Sequence, residues 1–384
     1  MGFSGMRHIV YITGTRADFG LIERTLNFIH NRSDLRLSVI VTGMHLMQEF
    51  GMTVNDIEKS GFKFHTVNSI YKTDQRASMA EFIGQFMTGL TPLLERLKPD
   101  IILLLGDRAE MLAGAVSAAY LGIPIAHIHG GEVTSTIDES ARHAITKLAN
   151  IHLAATKQSA VRILKMGENK KFVYVVGAPG LEGIKSGLMT KSLVEKRFGL
   201  DLDKELILII QHPVTNEEAK ASEQITKTLE VVKSMELQTI VIYPSADPGG
   251  RSMIDAINRY RNSSLVKIFT NLNRIEFLSL MKHASVLVGN SSAGIIEAAS
   301  FRIPVVNIGT RQNGRQRSDN ILDADYNTNQ IIGAIKRALY DKDFRDKFKR
   351  CRNPYGGGKT AQRIVRILST IKVDKDLLQK KISY

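Results

Sequence analysis

The 384-residue sequence contains no tryptophan and a single cysteine, Cys351. One cysteine can form neither an intrachain disulfide nor a cysteine-ligated zinc site, so we expect a protein of the reducing cytoplasm. No apolar run approaches the roughly 18 residues that a membrane-spanning helix requires. The first residues also turn polar too early for a secretory signal. These absences argue against a membrane protein or a disulfide-stabilised secreted protein.

Acidic residues are outnumbered, with 38 Asp and Glu against 52 Lys and Arg, which gives a net charge of +14. Such an excess is typical of nucleic-acid binding, of a solvated basic surface, or of a positive cleft that attracts an anionic small molecule. No zinc-finger spacing and no aromatic RNA-binding pattern accompanies the charge. Nucleic acid is therefore a minor alternative, and we expect neither a nucleic-acid nor a membrane partner.

Short runs rich in Ile, Val and Leu alternate with amphipathic stretches, and the alternation restarts halfway along the chain. Six runs between residues 8 and 177 and five between 206 and 309 predict buried parallel strands. Helices are predicted between most of these runs, at 17–30, 45–60, 78–98, 107–121 and 138–149 in the first half and at 215–235, 249–261, 273–283, 293–301 and 328–340 in the second. Such repetition predicts two Rossmann-like, doubly wound α/β domains, 1–178 and 179–365, facing a cleft lined by the carboxyl ends of both sheets.

Polar residues follow the predicted strands of the first half. The segment GTRAD, 14–18, places Arg16 and backbone amides at a helix N-terminus, which predicts an anion site. Asp18 has the alternative role of capping that helix. Asp107 follows the strand 100–106 and either caps a helix or faces the cleft.

The densest polar cluster follows the strand 124–130. Paired carboxylates and an imidazole predict acid–base chemistry there. A metal site is disfavoured because no helical H-x-x-x-H pair and no cysteine accompanies the cluster. We expect His127 to be a core histidine. The candidates for chemistry are His129, Glu132, Asp138 and Glu139.

The second half carries signals for a nucleotide. His212 ends a strand and suits an acid or a phosphate ligand. The segment GNSSAG, 289–294, offers the hydroxyls of Ser291 and Ser292 at a helix start, although an ordinary capped helix is the alternative. Glu297 could hold ribose hydroxyls, and Arg311 a phosphate. The segment is not the P-loop pattern, so phosphoryl transfer is not expected.

Several motifs follow one another along the chain: TGTRAD, TGMHL, GDRAE, HIHGGEVTSTIDES with RHAITK, QHPVT, GNSSAG with EAA, NIGTRQNGR and NPYGGG. In this order they resemble the motifs of the hydrolysing UDP-N-acetylglucosamine 2-epimerases of nonulosonic (sialic or legionaminic) acid biosynthesis, over about residues 7–370. That resemblance implies a GT-B-like fold whose C-terminal helix, about 366–384, returns to the N-terminal domain. It also implies a homodimer that needs neither a metal nor a nicotinamide cofactor.

The resemblance further implies loss of UDP from C1 with proton removal at C2, giving a 2-acetamidoglucal, and then addition of water to release free N-acetylmannosamine. By position, Asp107 and Asp138 resemble catalytic carboxylates, and His212 resembles the histidine that meets the leaving diphosphate. His45, in TGMHL, resembles a residue near the substrate. The implied ligands are Arg16, Ser291, Ser292 and Arg311 for the UDP phosphates and Glu297 for the ribose.

One position departs from the family pattern. Many members have H-x-E-G-G-E with a catalytic glutamate where this chain has His129. Either His129 takes over proton transfer, for which imidazole is suited near neutral pH, or Glu132 or Glu139 does. The change at this position would also be consistent with a different sugar substrate. One alternative is therefore a hydrolysing 2-epimerase of UDP- or GDP-N,N'-diacetylbacillosamine, for legionaminic acid.

Two further alternatives share the fold and the nucleotide site. They are a non-hydrolysing UDP-N-acetylglucosamine 2-epimerase and, as a more distant alternative, a GT-B glycosyltransferase.

Overall fold

Two parallel β-sheets, each covered by helices, form two separate units in the computed structural model, which describes residues 6–134 and 137–383. The first unit comprises the chain up to Val133, Ile137–Glu182 and the chain from Tyr355 onward. The second unit is mainly Gly183–Pro354. The predicted fold class, two doubly wound parallel-sheet domains, is confirmed.

The first domain is built on a seven-stranded sheet. Its strands are β1 (Arg7–Thr13), β2 (Leu35–Val41), β3 (Phe64–Thr66), β4 (Ile101–Leu105), β5 (Ile125–Ile128), β6 (Ile151–Ala154) and β7 (Val173–Val175). Its helices are α1 (Arg16–His30), α2 (Val54–Lys59), α3 (Arg76–Leu97), α4 (Ala109–Tyr120), α5 (Ile137–Leu148) and α6 (Lys157–Lys165).

The strands have the order β3-β2-β1-β4-β5-β6-β7. Strands β2 and β3 are added on one side of β1 and strands β4 to β7 on the other, so the order of the strands reverses between β1 and β4. Every pairing in it is parallel. Strand β4, Ile-Ile-Leu-Leu-Leu, is buried along its whole length. Burial on both faces explains this unbroken apolar run, because helices cover both sides of a doubly wound sheet.

The second domain repeats the arrangement with six strands in the order β10-β9-β8-β11-β12-β13, all parallel. They are β8 (Leu206–Ile210), β9 (Gln238–Ile242), β10 (Val266–Phe269), β11 (Val286–Gly289), β12 (Val305–Ile308) and β13 (Ile321–Ala324). The helices are α7 (Lys191–Phe198), α8 (Ala221–Ser234), α9 (Gly250–Asn258), α10 (Arg274–His283), α11 (Ser292–Ile296), α12 (Ala298–Phe301), α13 (Thr328–Tyr340) and α14 (Lys342–Lys349).

The chain returns to the first domain earlier than the expected residue 366. Helix α15 (Thr360–Thr370) packs Ile364 and Leu368 into the first domain's core, and α16 (Lys375–Leu378) follows it. The division between the units also lies a little beyond 178/179, between Glu182 and Gly183. A hydrogen bond of 3.0 Å from the backbone amide of Ala361 to the Glu182 carboxylate holds this segment to the first domain.

All eleven predicted strands are present, whereas β3 and β13 were not predicted. Each of these two is short and lies at a sheet edge, where partial exposure interrupts the apolar pattern. Within the described ranges, no helix has the length and apolar character needed to cross a membrane.

Candidate active site

The polar groups of the site follow the carboxyl ends of strands at or next to each sheet's reversal point, which is β1/β4 in the first domain and β8/β11 in the second. In open α/β sheets, ligands bind at this end of the sheet. The two ends carry different chemistry and are described one at a time.

An ion pair between Asp107 and Arg142 lies at the centre of the first domain's group. Asp107 follows β4, and Nη2 of Arg142, on α5, donates to its Oδ2. The Arg142 side chain is only 4% exposed, and its Nη1 also donates to the backbone carbonyl of Glu132 at 3.2 Å. Charge-assisted bonds from a rigid guanidinium fix both the position and the charge of the carboxylate. Sequence analysis gave Arg142 no role, although its position four residues after Asp138 places both on one helix face.

His129 and Glu132 form a second pair beside this one. Nδ1 of His129 is hydrogen-bonded to Oε1 of Glu132, and both side chains are more than nine-tenths buried. The turn between them is demanding: His129 has a φ of 65°, in the left-handed region. A Cβ at Gly131 would clash with the carbonyl oxygen of Ser159. The HGGE segment therefore folds the glutamate back onto the histidine.

Asp138 and Glu139 lie in the first turn of α5, one turn before Arg142. Both are half-buried, and Oε1 of Glu139 is 3.6 Å from Nε2 of His143. Residues 135 and 136 of the motif that precedes them lie outside the described residues. The structure thus joins Asp107, His129 and Glu132 through Arg142, and places Asp138 on the same helix as that arginine.

His127 is a core histidine, as expected. Its Nε2 donates to the carbonyl of Gly106 at 2.7 Å, and its Nδ1 lies 3.3 Å from Oγ1 of Thr146. Burial lowers the pKa of His127 to about 3, so the ring is neutral. It supports the residue immediately before Asp107.

Two of the backbone amides from which an anion site was predicted in GTRAD bind the protein's own carboxylate, which is the capping role offered as the alternative. Asp18 accepts hydrogen bonds from the amides of Gly14 at 3.1 Å and Thr15 at 2.8 Å, in a capping box at the start of α1. Arg16 is 22% exposed and lies 2.9 Å from the carboxylate of Asp56. The amides of Gly14 and Thr15 are therefore not available to an external anion, and the role of Arg16 as a phosphate ligand stays a prediction.

His45 is fully buried. Its Nε2 lies 3.0 Å from Oγ1 of Thr13, and its Nδ1 lies 2.7 Å from Oγ1 of Thr53. Burial lowers the pKa of His45 to about 4, so the ring is neutral. With both nitrogens bonded to threonines, the ring supports the loops after β1 and β2 and has no nitrogen left for a substrate.

A buried carboxylate that was given no role, Glu110, lies near these loops. It is completely inaccessible and accepts a hydrogen bond of 2.7 Å from the hydroxyl of Tyr71. Its second oxygen is 3.3 Å from Nε of Arg108. A Cβ on Gly14 or Gly43 would clash with this carboxylate. The glycines of TGT and TGM were the signal in the sequence, since they leave the space that Glu110 fills.

In the second domain, His212, Ser245 and Asn290 are interlocked. The side chain of Asn290 bridges the backbone of His212, accepting from its amide at 2.7 Å and donating to its carbonyl at 2.9 Å. The backbone amide of Ser245 donates to Nδ1 of His212 at 3.1 Å. Since Nδ1 accepts a hydrogen bond, the imidazole carries its proton on Nε2. His212 is therefore held as a hydrogen-bond donor.

The serines and the arginine predicted to bind phosphate lie around the same asparagine. Ser291 caps α11, and Ser292 is its first residue. Nη1 of Arg311 is 3.4 Å from the carbonyl of Asn290. Glu297, the predicted ribose ligand, is almost fully buried and forms an ion pair with Arg274. The structure groups His212, Ser291 and Arg311 about Asn290, while Glu297 has a protein partner of its own.

Two Rossmann-like domains, one bearing buried carboxylates paired with an arginine and a histidine and the other bearing hydroxyls, an imidazole and an arginine, define a protein of the GT-B-like class. The model of the UDP-N-acetylglucosamine 2-epimerase family matches residues 27–369. This chain belongs to that family, and the resemblance seen in its motifs is confirmed.

Relatives of high similarity include a hydrolysing UDP-N,N'-diacetylbacillosamine 2-epimerase of Legionella pneumophila, 41% identical over 99% of this chain and 100% of its own length. A UDP-N-acetylglucosamine 2-epimerase of Neisseria meningitidis is 36% identical over 87% of this chain and 88% of its own length. Among solved structures, the UDP-GlcNAc 2-epimerase of N. meningitidis bound to UDP-GlcNAc has a TM-score of 0.80 at 21% identity, covering 94% of this chain and 99% of that one. This similarity to a solved structure at 21% identity supports the fold. The individual site roles, the homodimer and the cytoplasmic location stay predictions.

Proposed function

We propose that this enzyme is a hydrolysing 2-epimerase that acts on UDP-N,N'-diacetylbacillosamine. The observation that carries the choice of sugar is the 41% identity, over nearly the whole length of both chains, to a relative of that name. UDP-N-acetylglucosamine, the substrate expected first from the sequence, is the second candidate and is favoured by the N. meningitidis relative.

The reaction has two steps. The bond from C1 of the sugar to the diphosphate oxygen breaks and the proton on C2 leaves, which yields UDP and a 2-acetamidoglucal. Water then adds its hydroxyl to C1, and a proton returns to C2 on the opposite face. The products are UDP and the free sugar inverted at C2, so one water is consumed for each substrate.

We assign departure of the diphosphate to the second domain. Negative charge grows on the leaving oxygen as the C1–O bond breaks, and donors already in place stabilise that charge without reorganising. His212 suits this role because Ser245 and Asn290 hold its ring and backbone with the proton on Nε2. Arg311 and the hydroxyls of Ser291 and Ser292 would bind the phosphates.

We assign proton transfer to the first domain. Removal and return of the C2 proton on opposite faces require two groups, and groups in different environments can serve as base and acid at one pH. Asp107, held by Arg142, is one such group. The His129–Glu132 pair is the second, in which the carboxylate orients the ring and stabilises an imidazolium. Asp138 would act with Asp107, as the family resemblance implies.

Proton NMR in D2O tests the proposal. The enzyme is incubated with UDP-N,N'-diacetylbacillosamine, and in parallel with its GDP counterpart and with UDP-N-acetylglucosamine. We expect UDP and a free sugar that is inverted and deuterated at C2. The Asp107→Asn variant serves as the inactive control.

Preferential turnover of UDP-N-acetylglucosamine to free N-acetylmannosamine would move the assignment to the second candidate. A product that retains its nucleotide would overturn the hydrolysing assignment. Absence of turnover with all three sugars would overturn the proposed reaction.

A further inference from the structure

The C-terminal segment of the chain contacts the helix that carries Arg142. Nζ of Lys380 donates to the carbonyl of Thr146 at 3.0 Å and to that of Ala149 at 2.6 Å. These carbonyls lie at the end of α5, where the last turn of a helix lacks its own backbone donors. A cation at that end is also favoured by the helix dipole. Lys380 therefore acts as a cap supplied from a distant part of the sequence.

Glu168 holds Lys380 in place. Its side chain is 2% exposed, and its carboxylate lies 2.6 Å from Nζ of Lys380, 2.7 Å from Nζ of Lys147 and 3.0 Å from Nε2 of His152. Burial by itself would raise the pKa of Glu168, but these donors lower it to about 2. The carboxylate is thus ionised at every pH at which the protein would be assayed.

Further contacts fix the rest of the segment. The buried side chain of Leu377 packs into the first domain's core, and its carbonyl accepts a hydrogen bond of 2.9 Å from the Asn150 side chain. The backbone amide of Ser383 donates to the carbonyl of Gly167 at 2.8 Å. Residues 374–383, here called the C-terminal latch, are therefore anchored on both sides of Lys380.

The turn of α5 that the latch holds leads directly to the catalytic group. Oγ1 of Thr146 donates to the carbonyl of Arg142 at 3.0 Å and contacts His127, whose Nε2 donates to the carbonyl of Gly106. Gly106 precedes Asp107, and Arg142 donates to the Asp107 carboxylate. Displacement of this turn would move both Gly106, which precedes Asp107 in the chain, and the Arg142 guanidinium that donates to the Asp107 carboxylate.

We propose that Lys380 is a positioning residue for the proposed reaction, acting through α5 on the Asp107–Arg142 pair. The predicted effect on kcat rests on the proposed function, whereas the predicted effect on the position of α5 does not. Displacement of a catalytic group by about 1 Å can cost as much as 10²-fold in rate. Since Lys380 is one of several anchors of α5, we expect the loss of its cation to cost about tenfold in kcat.

The test compares Lys380→Met with Lys380→Arg and with Lys381→Met, a neighbouring exposed lysine. We expect Lys380→Met to lower kcat while KM for the nucleotide sugar and the Kd for UDP stay within about twofold, a split expected when only groups that act in the transition state move. Lys380→Arg, which keeps a cation, should recover most of the rate, and Lys381→Met should match the wild type. Should Lys380→Met fail to fold, Glu168→Gln takes its place, with a smaller fall in kcat expected.

Amide hydrogen exchange of the ligand-free protein gives a readout that needs no turnover. Faster exchange in α5 and around residue 107 in Lys380→Met supports the proposal. Unchanged exchange there overturns it, even if the wild type turns over none of the nucleotide sugars and the proposed function itself fails. A lower Tm with an unchanged kcat, or an equal loss in Lys381→Met, would also overturn it.

Discussion

The two domains share one topology but differ in what lies beyond their strands. Around β1 and β4 the first domain places charged side chains that are buried and paired, such as Asp107 with Arg142. Around β8 and β11 the second domain places an asparagine, hydroxyls and an imidazole, connected by hydrogen bonds between neutral groups, and an arginine. Buried charge suits proton transfer, whereas neutral donors with a cation suit a diphosphate.

The difference also predicts how each site tolerates substitution. Removing one member of a buried ion pair leaves its partner unpaired, which costs about 3–5 kcal/mol. A single neutral hydrogen bond contributes only about 0.5–1.5 kcal/mol. Substitutions at buried ion pairs should therefore keep the shape of the side chain, in the first domain and at Glu297 in the second, whereas truncations are acceptable at the neutral groups around Asn290.

Asp107→Asn should have the largest effect. It keeps the shape and removes the charge, so we expect kcat to fall about 10³-fold, as for loss of an acid–base group. The affinity for UDP, measured by titration calorimetry, should not change. Asp255→Asn, on the exposed face of α9, is the matched control. If UDP affinity fell along with turnover, the assignment of the diphosphate to the second domain alone would be wrong.

His212→Asn should follow, with kcat lower by about 10²-fold, the usual cost of removing one donor to developing negative charge. Ser245→Ala is the sharper control, because the backbone amide that sets the tautomer of His212 remains. We expect little change in that variant. Equal losses in the two variants would show that the serine hydroxyl, which lies 3.3 Å from Nδ1 of His212, is needed to orient the imidazole and that the backbone amide alone is not enough.

The sequence predicted the strands and their ends better than the contacts between the site residues. Apolar runs and the ends of strands are local signals, so Asp107, His212 and Ser291 could be placed at the correct ends of their sheets. The capping of α1 by Asp18 is a local contact, and the sequence offered it as an alternative. The pairing of Arg142 with Asp107 depends on side chains that meet across elements, which spacing alone does not reveal. Helix α6 was missed because it follows β6 directly and buries only three of its residues.

Acid should destabilise the first domain more than the second. Burial lowers the pKa of His45 to about 4 and that of His127 to about 3, and both lie in the first domain. Below a pH of about 6.5 these histidines bind protons in the unfolded chain but stay neutral in the folded protein. The free energy of unfolding is therefore highest above that pH and decreases as the pH falls. Each ring then lowers the free energy of unfolding by about 1.4 kcal/mol per pH unit, or by about 2 kcal/mol at pH 5.

Urea unfolding at pH 7 and pH 5, with hydrogen exchange to show which domain opens, measures this loss. Glu168 does not contribute in that range, because its lowered pKa adds stability that is lost only below about pH 4.5. The His45→Gln variant should show a shallower pH dependence than the wild type, whatever its stability at pH 7. An unchanged slope would mean that His45 accepts a proton in the folded state.

Arg311→Ala should have the smallest effect and addresses the second domain's role directly. An arginine that binds phosphate equally in the ground and transition states contributes to KM rather than to kcat. We expect KM and the Kd for UDP to rise about tenfold, the cost of losing about 1.4 kcal/mol of a charge-assisted contact, with kcat changed much less. Arg317→Ala is the matched control. Arg317 already donates two hydrogen bonds, of 2.6 and 2.7 Å, to the Asp323 carboxylate, so its loss should not affect the binding of UDP. A fall in kcat with an unchanged KM would mean that Arg311 acts on the leaving group only as charge develops, and the second domain would then contribute to the chemical step through more than His212.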